Sequence, residues 1–485
     1  MTTSHPTQSS RREFLKRSSA LAMAGSAAPW AMSLAAMSEA AAQTATDYKA
    51  MVCVFLYGGN DYGNTLVPYD QASYDIYNAV RPVLAYPRTA VAASTGVVGS
   101  PGLAPTALTQ AAVLPAGATD LAGRQYALAP ELAAIKPIFD AGKMAVLLNI
   151  GTLIEPTTKD QYANKSVKLP PKLFSHNDQQ STWQSTLPEG ATSGWGGRMG
   201  DLFASGNGNS TFTCINVSGN AVFLSGKSAV QYQVTPRGSV PITGIKSPLY
   251  GSQACSDALR TLITTAAPNA LFESELARIT QRSIDADTSL TSALAGTPAL
   301  ATPFTATNPL AQQLAMVAKM IAARNTLGAK RQVFFVSIGG FDNHDGLNTV
   351  HPGLLTNVAD AMGAFYNATV QLGVSQQVTA FTASDFGRTL VGNNDGSDHG
   401  WGSHHFVVGG AVKGQAFYGK PPTHIVPTTT VTSGPDDVGQ GRLLPSISVD
   451  QLGGTLATWF GVSATDLPAV LPDLANFSTK NLGFL

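Results

Sequence analysis

Residues 50–57 read AMVCVFLY and are followed directly by Gly58 and Gly59. The run contains no charged residue. A strand at the centre of a parallel sheet is covered on both faces, so its sequence is a continuous apolar run rather than an alternation of apolar and polar residues. The stretch therefore predicts a central parallel strand that ends at the glycine pair.

Four further runs have the same character, at residues 144–150, 332–338, 378–383 and 406–408. Helical patterns accompany them, at residues 130–141, 310–327, 352–372 and 449–460. Strands that alternate with helices indicate an α/β fold. We expect a doubly wound, mostly parallel sheet flanked by helices.

Two segments interrupt this alternation. Residues 89–123 are rich in Ala, Gly, Pro and Thr, which predicts a long surface loop. Residues 203–252 show the short runs and turns of a small β insertion. We interpret both segments as insertions into a single domain that spans residues 43–485.

Composition excludes some classes of protein. The 485 residues carry 30 Lys and Arg against 30 Asp and Glu, whereas a nucleic-acid-binding protein would show a basic excess. The three cysteines, Cys53, Cys214 and Cys255, are too few for a disulfide scaffold or a Cys-rich zinc module. The sequence leaves open whether Cys214 and Cys255 form a disulfide.

The N-terminus has the pattern of an export signal. Residues 10–16 read SRREFLK, a twin-arginine motif; an uncharged stretch at 18–36 and an A-x-A cleavage site at 40–42 follow. We expect a signal peptide over residues 1–42, the twin-arginine translocase as a partner during export, and a periplasmic or extracellular mature chain. An uncleaved membrane anchor is the alternative for the uncharged stretch. The rest of the chain has no apolar run long enough to span a membrane.

Acids and histidines gather next to the predicted strand ends. They are Asp61, Asp342, His344, Asp385, His399, His404 and His405. In an open α/β sheet, ligands bind beyond the carboxyl ends of the strands. Carboxylate oxygens combined with imidazole nitrogens suit Zn, Mn or Fe. The pattern predicts a metal site at this edge of the sheet, and a polar network that only holds the loops together is the alternative.

Ser175 and Arg388 each allow two interpretations. Ser175 begins the SHND of residues 175–178, directly before a predicted helix. It can cap that helix, or it can act as a nucleophile beside a metal at the helix N-terminus. The Arg388 guanidinium can bind phosphate or sulfate oxygens, or it can pair with Asp385 or another acid of the site.

Five motifs carry a family resemblance. They read FLYGGNDYGNTLVPYD (55–70), SHND (175–178), GGFDNHDG (339–346), SDFGRT (384–389) and DHGWGSHHFVVGGAVKG (398–414). Together they resemble the domain of unknown function 1501 family, and the resemblance extends over residues 48–485. That family consists largely of exported bacterial proteins without an assigned substrate. It is similar in turn to the alkaline phosphatase and sulfatase superfamily of doubly wound α/β metallohydrolases.

This similarity implies a role for each matching residue. The implied metal ligands are Asp61, Asp342, His344, Asp385 and His399. Ser175 matches the superfamily nucleophile, and Arg388 or His404 would stabilise charge on the transferred group. The resemblance thus implies a metal-dependent hydrolase of a small-molecule phosphate or sulfate ester, with Zn, Mn, Fe or Ca as the divalent ion.

The sequence departs from the superfamily pattern at one telling position. The S-D-H-G signature reads SDFG here, with Phe386 in place of the histidine. Asp342 and His344 also lie two residues apart, where the superfamily usually spaces this pair by four. Because phenylalanine cannot bind metal, two-metal chemistry is disfavoured, and one ion held by Asp342, His344 and His399 or His404 remains. The alternative function is a catalytically degenerate member that acts as a periplasmic binding or envelope-assembly protein.

Overall fold

A mostly parallel sheet with helices on both faces forms the centre of the protein, which confirms the predicted fold class. The computed structural model describes residues 45–94, 99–266, 270–423 and 434–485. Residues 45–485 form one unit. The predicted signal peptide at residues 1–42 lies outside the described residues.

The strands and helices of the described residues are numbered in chain order. The strands are β1 (Lys49–Leu56), β2 (Leu66–Pro68), β3 (Ala107–Leu108), β4 (Tyr126–Leu128), β5 (Met144–Gly151), β6 (Cys214–Asn216), β7 (Tyr232–Thr235), β8 (Gly238–Ser239), β9 (Arg331–Ile338), β10 (Val378–Ser384), β11 (Arg388–Gly392), β12 (Ser397–His399), β13 (Ser403–Gly409), β14 (Ala416–Tyr418) and β15 (Ile447–Ser448). The helices are α1 (Gln71–Val80), α2 (Lys136–Asp140), α3 (Lys159–Asn164), α4 (His176–Ser185), α5 (Trp195–Phe203), α6 (Gln253–Thr264), α7 (Leu271–Ala295), α8 (Pro309–Ala322), α9 (Leu347–Gln371), α10 (Val449–Phe460) and α11 (Leu467–Val470).

The order of the strands brings several loops to one edge of the main sheet. Within the described part of the chain, this sheet has ten strands in the order β14-β5-β13-β10-β1-β9-β6-β7-β8, with β15 also paired to β5. β1 lies between β9 and β10 and is parallel to both, with Leu56 opposite Ile338 and Ser384. The loops after these three strands therefore leave the same edge. β13 is antiparallel to β10 and β5, so the residues that precede β13 also lie at this edge.

β1 shows why its sequence is apolar throughout. Successive side chains of a strand point to opposite faces of the sheet. Val52, Val54 and Leu56 join the core that contains residues of α7, α8 and α9, whereas Cys53 and Phe55 join the core on the α5 and α10 side. Complete burial of a Val, Leu or Phe side chain contributes about 1.5–3 kcal/mol. Both faces of β1 therefore favour apolar residues.

α10 occupies the predicted residues 449–460 because its ends are specified locally. Ser448 accepts a hydrogen bond from the Asp450 N–H, and Gln451 accepts one from the Ser448 N–H, which forms a capping box. Gly461 has a φ of 115°, which ends the helix in the left-handed region.

The two predicted insertions contribute strands. Within residues 203–252, β6 pairs with β9, and β7 and β8 continue from it, so these short strands extend the main sheet. Residues 89–123 include β3, which joins β2 and β4 in a separate three-stranded sheet. None of the described helices is long and apolar enough to cross a membrane. Cys53, Cys214 and Cys255 are free thiols.

Asp450, in the first turn of α10, makes stability depend on pH. Burial, followed by the charge of Asp473, raises the pKa of Asp450 to about 7. A carboxyl whose pKa rises on folding stabilises the fold fully below its unfolded pKa of about 3.9, and this contribution is lost as the pH rises through the folded pKa. We expect Asp450→Asn to be near neutral at pH 4 and stabilising at pH 8, as measured by urea unfolding. An equal effect at both pH values would contradict this account.

Candidate metal centre

Three histidines and one aspartate converge at the edge where β1, β9 and β10 end. His176 is the first residue of α4, and His399 is the last residue of β12. His399 Nε2 lies 3.1 Å from His176 Nε2 and 2.9 Å from His344 Nε2. Asp342 Oδ1 lies 3.1 Å from His399 Nε2 and 3.2 Å from His344 Nε2. Asp342 Oδ2 lies 3.4 Å from His176 Nε2. These four residues are hereafter the His/Asp cluster.

Two of the imidazoles are held through their other ring nitrogen. His399 Nδ1 lies 2.8 Å from the Phe174 carbonyl oxygen, and His176 Nδ1 lies 2.6 Å from Asp385 Oδ2. Because carbonyl and carboxylate oxygens accept, each Nδ1 carries the proton and donates. The lone pairs on the Nε2 atoms of His176 and His399 then point into the cluster. This arrangement is typical of histidines that bind a metal.

The surroundings of the cluster favour the ionised form of Asp342 and the neutral form of His399, which are the forms that bind a cation. Burial alone would raise the pKa of Asp342, but the hydrogen bond and charge of Arg388 outweigh burial and lower it. Burial lowers the pKa of His399 despite the Phe174 carbonyl, so this imidazole tends to be neutral. The hydrogen bond to Asp385 raises the pKa of His176.

The donor atoms are close enough for one ion. Those of His176, Asp342 and His399 all lie within 4.8 Å of one another. The three side chains are 28%, 43% and 24% exposed, so solvent reaches the cluster. His344 is 42% exposed, and its Nδ1 lies 3.3 Å from Asp398 Oδ1. The residues therefore fit a divalent ion with an open side.

The sequence matches one known protein family over most of its length. The family described as "Protein of unknown function (DUF1501)" has a sequence model that matches residues 48–434. The chain belongs to this family. No curated protein matches this DUF1501 chain.

Two solved structures are similar to this DUF1501 protein over most of its length. One comes from work on the metabolism of multiple glycosaminoglycans by Bacteroides thetaiotaomicron: its sequence identity is 11%, 86% of this chain and 74% of that chain are covered, and the TM-score is 0.33. The other is Ps i-CgsB in complex with k-i-k-neocarrahexaose: its identity is 12%, the coverages are 70% and 71%, and the TM-score is 0.28. The family assignment rests on the sequence match.

Phe386 forms an apolar wall behind two histidines of this DUF1501 protein. Its ring centroid lies 4.9 Å from that of His176 and 4.7 Å from that of His399. The SDFG motif thus contributes no nitrogen, as expected, but His176 brings one from α4. His176 is a site residue that the sequence motifs did not predict. The available signal was its place in SHND, immediately after Ser175.

Asp61 lies outside the His/Asp cluster. Arg81 Nη1 and Nη2 donate to its two carboxylate oxygens at 2.8 and 2.9 Å. The Ser397 hydroxyl and the Asn64 N–H also donate to this carboxylate. Burial would raise the pKa of Asp61, but the charge and hydrogen bonds of Arg81 outweigh it and lower the pKa. The geometry therefore corrects the predicted ligand role: both oxygens are already used in a buried ion pair.

Asp385 positions a histidine instead of supplying a ligand. Its Oδ2 accepts hydrogen bonds from His176 at 2.6 Å and from Gln180 at 2.7 Å. Its Oδ1 accepts from the Gly58 N–H at 3.2 Å. The carboxylate is fully buried, so the predicted contact with a metal is corrected to a contact with the imidazole.

Arg388 pairs with an acid of the site, which is one of its two predicted roles. Its Nη1 donates to Asp342 Oδ1 at 2.6 Å and to the Gly58 carbonyl at 3.1 Å. Its Nε and Nη2 donate to the Ser397 carbonyl. The guanidinium is buried and holds Asp342, and the predicted role of binding the transferred group is corrected accordingly.

Gly58 allows the loops to approach one another. Its N–H contacts Asp385 and its carbonyl contacts Arg388. Its φ is 116°, and a Cβ atom here would collide with the backbone nitrogen of Asp342. A glycine is therefore required where β1 ends against the loop that carries Asp342.

Ser175 occupies the N-cap position of its helix without a side-chain capping hydrogen bond. It is the N-cap residue of α4, and its hydroxyl donates to Asp178 Oδ2 at 2.9 Å within the first turn. Lys172 Nζ lies 3.6 Å from the same Asp178 oxygen. Both interpretations place Ser175 at the helix N-terminus, and its hydroxyl contacts the Asp178 carboxylate instead of a backbone N–H of the first turn.

His404 and His405 point into the protein core. Asn149 N–H donates to His404 Nδ1 at 3.0 Å, and the His404 ring packs edge-on against Tyr62. His405 Nδ1 lies 3.0 Å from the Thr382 hydroxyl oxygen. Both imidazoles belong to β13 and are buried, so His399 is the one of these three histidines that reaches the cluster, and the predicted catalytic role of His404 is corrected.

Asp385 holds the His176 imidazole, so removal of the Asp385 charge should weaken metal binding. We expect Asp385→Asn to weaken Zn²⁺ or Mn²⁺ binding about 10- to 100-fold, because an amide holds the imidazole more weakly than a carboxylate does. Competition with a chelating dye measures the affinity. Asp140→Asn, at an exposed position on α2, is the control and should bind as wild type does. Unchanged affinity in Asp385→Asn would contradict the positioning role.

Proposed function

We propose that the protein is a metal-dependent hydrolase of phosphate or sulfate esters. One observation carries the proposal: the Nε2 atoms of His176 and His399 converge on the Asp342 carboxylate, and their Nδ1 atoms are held by Asp385 and the Phe174 carbonyl. The class of ester comes from the similarity of the motifs to the alkaline phosphatase and sulfatase superfamily.

The spacing of the imidazoles favours an ion over a polar network. Lone pairs on two nitrogen atoms 3.1 Å apart repel unless a proton or a cation lies between them. His399 Nε2 also approaches His344 Nε2 and Asp342 Oδ1. One proton satisfies one of these contacts, whereas one divalent ion satisfies all of them. A tetrahedral ion with bonds of about 2.0–2.1 Å needs donors about 3.3 Å apart.

The donor atoms select among the candidate ions. Imidazole nitrogens with a carboxylate oxygen favour Zn, Mn or Fe. Ca²⁺ takes six to eight oxygen ligands, so we omit it from the proposal. Because Phe386 replaces the histidine that would be the only nitrogen ligand of a second ion, we propose a single ion.

The openness of the cluster supports catalysis over a structural role. Structural zinc sites are closed to solvent, whereas catalytic sites keep a position for water or substrate. The four side chains of the cluster are 24% to 43% exposed, so an ion bound among them could add a further ligand from solvent. A bound ion would act as a Lewis acid that polarises an oxygen of the ester. Arg388 keeps Asp342 oriented and ionised, and Asp385 keeps the His176 lone pair directed inward. An ion with an open position would lower the pKa of a bound water molecule, and we propose this water as the nucleophile.

Elemental analysis combined with an ester assay tests this proposal. The protein is purified without chelator or affinity nickel, its metals are measured by mass spectrometry, and 4-nitrophenyl phosphate and sulfate are offered as substrates. We expect near-stoichiometric Zn, Mn or Fe, and release of 4-nitrophenol that depends on the metal and persists in Ser175→Ala. Protein that takes up none of these ions would overturn the metal site. Metal-loaded protein that cleaves neither ester would overturn the hydrolase and favour a binding role.

A further inference from the structure

α7 carries an apolar seam that is covered over only half of its length. The residues at positions 272, 276, 279, 283, 286, 290 and 293 follow one another in alternating steps of four and three, which is heptad spacing along one side of the helix. In the C-terminal half, Ala286 and Leu290 are buried in the core. In the N-terminal half, Phe272, Leu276 and Ile279 are 89%, 65% and 47% exposed. The exposed half therefore continues a packing surface.

The neighbouring helix α6 enlarges this exposed surface. Leu262 of α6 is 77% exposed, and a groove of about 850 Å³ runs between the two helices. Leu259, Leu262 and Leu276 line the groove together with Ile242. Contiguous exposed apolar side chains of this size mark an interaction surface.

We propose that two copies of the chain associate through the N-terminal halves of their α7 helices, packed antiparallel about a twofold axis. A heptad seam packs best against another seam of the same spacing. In the antiparallel arrangement, Leu276 of one copy faces Ile279 of the other. Phe272 then faces Ser283, and the small serine leaves room for the aromatic ring.

The charged residues beside the seam are complementary to those of a second copy of α7, and only when the two helices are antiparallel. Glu275 and Arg282 occupy equivalent positions on the same flank of the seam, one heptad apart. An antiparallel pair brings Glu275 of each copy to Arg282 of the other, so two ion pairs form about the axis. A parallel pair would place Glu275 opposite Thr280. In the single chain, Glu275 contacts Arg278 of its own helix.

Sedimentation equilibrium of the protein at micromolar concentration tests the association. We expect a mass twice that of one chain. Leu276→Glu should raise the dissociation constant at least about 100-fold, because each dimer would bury two unpaired carboxylates. Val113→Glu is the matched control, since Val113 is an 86% exposed apolar residue outside the seam, and it should leave the mass unchanged. Circular dichroism verifies that each variant is folded.

A charge exchange tests the orientation. Glu275→Arg alone and Arg282→Glu alone should each weaken the dimer about tenfold, because like charges meet across the axis. An equimolar mixture of the two variants should regain the wild-type affinity as a heterodimer, and so should the double variant. Wild-type protein that stays monomeric, a dimer that ignores Leu276→Glu, or a monomer that binds phosphatidylglycerol vesicles through α7 would overturn the proposal.

Discussion

His399→Ala is expected to lose the bound metal, with an affinity at least about 100-fold below that of the wild-type protein. Loss of a ligand should exceed the 10- to 100-fold effect that is typical for residues behind the ligands. His399 Nε2 lies within 3.1 Å of three other donor atoms of the cluster, so its loss removes the nitrogen that lies closest to all of them. Metal content by mass spectrometry and activity on 4-nitrophenyl esters should fall together.

His404→Ala is the control for this experiment, because it removes a nearby imidazole, in β13. His404 lies in the core against Tyr62, so its loss should lower the melting temperature while the folded protein still binds metal. Full metal content in His399→Ala, or lost metal in folded His404→Ala, would contradict the assignment of His399.

Arg81→Met is expected to destabilise the fold by about 3–5 kcal/mol at pH 7, because it leaves the Asp61 carboxylate buried without its partner. Both side chains are at most 1% exposed. Arg81 also donates to the carbonyls of Leu390 and Thr389, so its loss leaves further buried acceptors unpaired. Urea unfolding measures the effect. Lys136→Met breaks an exposed ion pair with Asp140 and should cost less than about 0.5 kcal/mol.

The sign of the pH dependence gives an independent check on this ion pair. Arg81 holds the pKa of Asp61 below its usual value despite burial. The stabilisation is therefore fully present above the unfolded pKa of about 3.9 and is lost as the pH falls through the folded pKa. In Arg81→Met the buried carboxyl can take up a proton, so the difference from wild type should shrink between pH 7 and pH 4. A difference that stays constant would contradict the role of Asp61.

The fold could be predicted where the decisive interactions are local or where burial is complete. β1, β5, β9 and β10 all appear as apolar runs because helices cover both faces of the sheet. α10 has its predicted ends because its capping box lies within four residues. It could not be predicted that the strands within residues 203–252 extend the main sheet, because the sequence of a short strand does not show which strand it pairs with.

The candidate site could be located from the sequence, but the roles of its residues could not be assigned. The edge of the sheet was predictable from the acids and histidines at the strand ends, which include Asp342, His344 and His399. Asp61 has the sequence position of a metal ligand. Its partner Arg81 directly follows α1, and no local sequence pattern indicates that the two side chains pair. His176 was not predicted as a ligand, because a polar residue at the start of a helix is usually explained by capping.

β1 pairs with β9 and β10, so the candidate metal centre at the end of these strands can form only after β9 and β10 have been synthesised. β1 leaves the ribosome early, yet its partners in the sheet are translated only much later, and pairings between such distant segments form slowly. His176 is likewise synthesised well before His399, its neighbour in the cluster. An ion bound by the candidate metal centre would therefore be captured late in synthesis, and a stalled nascent chain that ends before residue 399 should hold no ion.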